Sequence, residues 1–408
     1  MPRRSDGPAG FASRIDDDRC RQLLVDLVRV PSPLTDLLEA EPQLGVFIRT
    51  AVEPRLREMG IEAIRYDAMG NLIAEVGDGA SGRSLMLISN AMNQPRSTMA
   101  NAYAGDVVDG AQYGLPGPAV LGKGASEQKS SMAAMLAALE AVMASRARLS
   151  GRLVFLCCVS GETGRHDAIR NVVEVENVRA DIAILGGSSL QITIGNRGRL
   201  DIAVTVTGAP CHSSKPHQGC DAITGAIEFI RRLREAITMS QEHPDLGRAT
   251  LAVTHLRSFP DSSHTIQDRV DITLDRRLLP GEDPQQAFAE IGQVAEGLNG
   301  TPDPASGKPW ALEVKRGAFM YPSLTKRDGR AVKLVSEAFE ETLGRAAELA
   351  FAPNAFDQGY LNHVGIDTLN FGAGESRYAH TDLDMASVTR VREAALVYAR
   401  AVTSYLGG

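Results

Sequence analysis

Short apolar runs at positions 72–76, 85–88, 153–158 and 182–185, punctuated by Gly, Asn and Ser, constrain this chain more than any other feature. Strands this brief and this apolar are needed where helices cover both faces of a sheet. An Ala-, Met- and Leu-rich stretch at 129–143 reads as a helix between the second and third runs. Strand and helix alternate, so the expected fold class is α/β, with a mixed sheet covered by helices. A chain of 408 residues with 43% hydrophobic content usually divides its core between two domains.

The texture changes near Thr193. Alternating positions such as Ile202, Val204 and Val206, and Val270, Ile272 and Leu274, read as strands with one buried face. With helical stretches at 221–236 and 284–298 they form a separate α+β unit. A helix at 330–343 and an apolar strand at 368–371 return to the first texture. The expected layout is therefore a discontinuous α/β domain, 1–192 plus 312–408, interrupted by an inserted domain, 193–311. At the N-terminus, a polar arm over 1–16 precedes a helix carrying Leu23, Leu24, Leu27 and Val28, which stops at Pro31-Ser32-Pro33. A second helix is expected over 46–59.

A net charge of −7 argues against nucleic acid as a partner, because phosphate-tracking surfaces are basic. Arg3 and Arg4 are followed by no apolar stretch that could act as a signal or membrane anchor, so a cytoplasmic location is expected. Five irregularly spaced cysteines read as reduced thiols. The partner expected is a small molecule, with Cys211 beside His212 carrying no nucleophile motif.

Three segments, in order, carry a resemblance. The first is Leu121-Gly122-Lys123-Gly124-Ala125-Ser126-Glu127-Gln128-Lys129, followed by the Ala/Met-rich helix. The second runs from Gly208 to Pro216 around Cys211-His212-Ser213-Ser214, then continues through Asp221-Ala222-Ile223. The third runs from Gly365 through Phe371-Gly372-Ala373-Gly374 to Ala379-His380-Thr381. Together they resemble the co-catalytic zinc hydrolases that include aminoacylase, acetylornithine deacetylase, succinyl-diaminopimelate desuccinylase and glutamate carboxypeptidase.

That resemblance implies a zinc-exopeptidase-like domain with an inserted lid and dimerisation domain, and a homodimer formed through it. It implies that Glu127 bridges metals, that Glu162 and His380 complete the ligands of one ion, and that His212 stabilises developing negative charge. It implies substrate contacts at Asn90, His264, Arg277 and the glycine loop at Gly372. A guanidinium fork such as Arg277 suits a substrate carboxylate.

The departures fall on the other ion. Asn90 stands where the family has its first histidine ligand, Met92 where it has the orienting aspartate, and Gly187-Ser188 where it has a further acid. Gly161 stands in place of the glutamate general base. One divalent ion is therefore expected, zinc by the two-carboxylate, one-imidazole set, with manganese and iron also fitting. Without its base, worth about 10²–10⁴ in rate, the site is open to three readings. These are slow hydrolysis of a small, carboxylate-bearing, amino-acid-derived amide with a substitute base such as His166; lyase, isomerase or condensing chemistry; and a non-catalytic binding relative. A metal-free catalyst using His212 and the acids is a further variant.

Overall fold

The computed structural model describes residues 10–407. Most of the arm expected over 1–16 lies outside the described residues. Its end is not an arm, because Phe11 and Ile15 are buried around the short 3₁₀ turn Ala12–Arg14.

The chain forms two compact units. The first comprises residues up to Gly195, Leu324–Phe351 and the segment from Asp357 onward, and the second comprises Asn196–Ser323 and Ala352–Phe356.

In the first unit, four parallel strands form the middle of a mixed sheet, in the order Arg152–Cys158, Ser84–Asn90, Ile182–Gly186 and Asp367–Phe371. Leu72–Val76 and Ile64–Tyr66 extend one side antiparallel. The apolar runs of the sequence are these strands, and their side chains are buried on both faces. The helix Ser130–Ala144 is buried almost all round, which explains why its sequence has no polar stripe. It packs against the 19-residue helix Val388–Leu406, which the sequence reading did not single out. The helix expected over 46–59 starts earlier, at Pro42, and is interrupted by a π turn at Ile48–Val52. Pro54 follows directly, and a proline lacks the N–H that would close the regular ladder there.

The second unit is an antiparallel sheet of Thr250–Phe259, Arg269–Leu278, Gly198–Thr207 and Ala311–Met320, in that order. Alternation is strict along Gly198–Thr207. Leu200, Ile202, Val204 and Val206 are buried in one core with Phe229, Leu233, Ile291 and Trp310 from the helical side. This unit reaches Ser323 instead of ending at 311, because the strand Ala311–Met320 completes its sheet against Gly198–Thr207. The strand alternates exposed and half-buried positions only over its first half, which hides its membership in the sequence.

Candidate functional site

Parallel strands of an α/β sheet all end on one side, and the loops leaving those ends form the usual ligand-binding edge. Here Asn90 and Cys158 end neighbouring strands in register, as do Gly186 and Phe371. The loops that follow carry Gln94, Gly161, Glu162, Gly187, Gly372 and His380. Glu127 comes from a π turn, Ala125–Lys129, at the entrance to the buried helix. Single π turns concentrate at functional sites because they re-aim a side chain within a helix.

Glu127, Glu162 and His380 each bring one ligand atom to within 4.8 Å of the others. His380 Nε2 lies 2.6 Å from Glu127 Oε1 and 3.9 Å from Glu162 Oε2. The close Glu127 carboxylate raises the pKa of His380 above the ordinary histidine value. Burial, reinforced by the charge of Glu127, pushes the Glu162 carboxyl up to about 8. Two acids held together out of water beside an imidazole form a donor set that a divalent cation would complete.

His380 occupies the left-handed region, φ 64°, a conformation that costs a non-glycine residue energy and persists only where its surroundings enforce it. Here several bonds supply that enforcement. Lys123 Nζ donates to Thr381 O at 3.0 Å, and Thr381 Oγ1 to Tyr378 O at 2.8 Å. Asp384, fully buried, accepts from the Gly124 and Ser126 N–H groups at 2.7 and 2.8 Å, tying the histidine loop to the turn that carries Glu127. Burial raises the Asp384 carboxyl to about 6. Lys129, completely buried, donates to Val30 O at 2.9 Å under the Phe47 ring, and desolvation lowers it to about 7.

Two carboxamides given no role in the sequence reading complete the acids' surroundings. Gln94 Nε2 donates to Glu162 Oε2 at 2.8 Å and Gln128 Nε2 to Glu162 Oε1 at 3.3 Å, while the Gln94 N–H faces Glu127 Oε2 at 3.4 Å. Gln128 adjoins Glu127, and Gln94 follows the strand that ends at Asn90. No motif marks a glutamine that acts only as a donor.

The other expected residues are distributed as follows. Asn90 is buried at its strand end, with Oδ1 lacking any hydrogen-bond partner. Gly161 adopts φ 150°, and a Cβ there would lie 2.7 Å from Met92 O, so this backbone excludes an unstrained glutamate at the position. A Cβ at Gly187 would meet its nearest atoms at 3.4 Å, so that position is not closed. The substrate contact expected of Gly372 does not fit its surroundings. The residue is buried, its N–H donates to Ser189 O at 2.9 Å, and a Cβ would fall 2.0 Å from Gly187 O. Glycine is needed there for backbone to pass backbone. His166 is buried, with Nδ1 2.8 Å from Asp357 Oδ1.

In the second unit, the Arg277 fork is taken up by Asp275, with Nε to Oδ1 at 2.8 Å and Nη2 to Oδ2 at 2.9 Å. An internal carboxylate occupies the geometry expected to be offered to substrate. His264 is exposed, and its carbonyl accepts from Ser213 N–H at 2.9 Å, beside the short ladder pairing His212 with Thr265. His212 is exposed, and its Nδ1 accepts from the Ser214 N–H at 3.2 Å. That bond assigns the proton of the neutral ring to Nε2, which is then a donor.

Residues 194–300 match the family model described as a peptidase dimerisation domain. The chain is 24% identical over 404 residues to succinyl-diaminopimelate desuccinylase 2 of Ruegeria sp. (strain TM1040), covering 95% of this chain and 96% of the relative. It is 26% identical over 385 residues to acetylornithine deacetylase of Myxococcus xanthus, covering 92% and 93%. Among solved structures, an M20 family metallo-carboxypeptidase from Sulfolobus solfataricus superposes with a TM-score of 0.74 at 16% identity, covering 95% and 99%.

A mixed sheet carrying an inserted α+β unit is the architecture that the chain shares with these proteins. Over nearly its whole length the chain is similar to a succinyl-diaminopimelate desuccinylase and an acetylornithine deacetylase, and its fold is that of an M20 family metallo-carboxypeptidase. No helix among the described residues is long and apolar enough to cross a membrane.

Proposed function

We propose that this protein is a divergent aminoacylase- or carboxypeptidase-like enzyme that acts on a small, carboxylate-bearing, amino-acid-derived amide with one divalent ion instead of two. The cluster of Glu127, Glu162 and His380, whose ligand atoms lie within 4.8 Å of one another, carries this reading. These three residues fit one ion, zinc by ligand type and manganese or iron by their oxygen-rich character. At the places of the other ion's private ligands stand Asn90 and Gly187, which offer neither a carboxylate nor an imidazole. When bound, the ion would polarise a substrate carbonyl.

The chain's own groups have separate tasks in this reading. Gln94 and Gln128 orient Glu162, Asp384 and Lys123 fix the loop of His380, and His212 is suited by its Nε2–H to donate to an oxyanion. The conformation of Gly161 favours a second reading, in which the same site runs lyase, isomerase or condensing chemistry that needs no activated water. We also infer a homodimer formed through the inserted unit and a cytoplasmic location. Exposed Ile223 and Ile227 support the first, and five free thiols the second.

Hydrolysis of N-acetyl and N-succinyl amino acids by the metal-loaded protein tests the reading against a relative with an intact glutamate base. Rates about 10²–10⁴-fold lower are expected, the value of a positioned base. Equal rates would mean that another group serves fully as base.

A further inference from the structure

We propose that Asn71 is a positioning residue for Glu162, its carboxamide joining the two feet of the loop that carries this acid. The inference rests on the one-ion reading above and deepens it by naming what holds one ligand in place. The loop leaves the strand Arg152–Cys158 at Val159 and enters a short helix, Asp167–Arg170. It contains Gly161 at φ 150° and Gly164 at φ 69°. Among the described residues, no N–H from Ser160 to Arg165 donates to another backbone group. A segment with two such glycines and no ladder of its own takes its shape from ties at its ends.

Asn71 ties both ends at once. Its Oδ1 accepts from the Val159 N–H at 2.8 Å, and its Nδ2 donates to Ala168 O at 3.2 Å. Val159 lies just past the last ladder pairs, Leu72 with Cys157 and Asn90 with Cys158. Nδ2 also donates to Asp67 Oδ2 at 2.6 Å, while Asp67 Oδ1 accepts from the Asn71 N–H at 2.9 Å, which holds the carboxamide in this orientation. The residue is fully buried, and its one acceptor and two donors are all used. Aspartate lacks both donors, and leucine lacks every polar atom. The buried His166–Asp357 pair ties the far end of the loop to a different segment. Glu127 and Glu162 repel when both are ionised, so a loose loop would carry Glu162 outward into water. Joining the feet opposes that movement, and the ligands meet an ion already assembled.

Zinc affinity, measured on the folded protein by competition with a chelating dye, tests this. Asn71→Leu, or Asn71→Ser should the leucine variant fail to fold, is expected to bind zinc about tenfold or more weakly than wild type. Ile73→Ala, equally buried in the strand that follows, is the control for lost packing alone. It is expected to lower the melting temperature and leave zinc affinity unchanged. Hydrogen exchange of the metal-free wild type reads the tie without any substitution, with slow exchange expected at the Val159 amide. Unchanged zinc affinity in the Asn71 variants, an equal loss in Ile73→Ala, or rapid exchange at Val159 would overturn the proposal. Failure of the one-ion reading registers separately, as two ions or none bound per wild-type chain.

Discussion

Glu162 shows how a site can be costly without its ligand. Its carboxyl rises from 4.5 to about 8 because it is buried beside Glu127. Between these values the folded metal-free protein keeps a proton that the unfolded chain has released, so stability falls as pH rises through that window. His380 acts in the same sense. Its raised pKa contributes stability that is complete below about 6.5 and is lost as pH rises through the folded value. Glu162→Gln is therefore expected to raise the melting temperature of metal-free protein at pH 8 and to change it little at pH 4.5. Differential scanning fluorimetry across that range checks this, and a variant less stable than wild type at pH 8 would contradict it. The sequence marked Glu127, Glu162 and His380 because each sits in a motif. It hid Gln94 and Gln128 because amide donors take their role from where the backbone puts them.

At the scale of elements, the sheet was legible and its boundaries less so. Parallel strands buried on both faces must be apolar throughout, so the runs at 85–88, 153–158 and 182–185 fall on strands Ser84–Asn90, Arg152–Cys158 and Ile182–Gly186. The strand Ala311–Met320 was assigned to the wrong unit, since exposed Lys315 and Arg316 interrupt its alternation. Conformational demands such as φ 150° at Gly161 cannot be read from letters, although they decide whether a missing base could be restored. Gly372 makes the point measurable. Alanine there would place its Cβ 2.0 Å from Gly187 O and 2.1 Å from Ser131 Oγ, so backbone must move. Urea denaturation of Gly372→Ala is expected to show a loss of about 2–3 kcal/mol or more. A loss below about 0.5 kcal/mol, the range of an ordinary surface change, would mean the two loops are not packed as described.

Ile227 is 62% exposed on the helix Ala222–Ala236, beside Ile223 at 37%. Light scattering on the wild type is expected to give twice the 43.6 kDa chain mass, and Ile227→Asp to shift the population toward monomer. A monomeric wild type would remove that inference and leave the site's own chemistry untouched. The central claim is that one set of ligands survives as a working unit while the other has been replaced by neutral groups. Elemental analysis of protein purified without chelator, with His380→Ala alongside, tests it most directly. About one divalent ion per chain is expected, lost in the variant. Two ions per chain, or none in either protein, would contradict it.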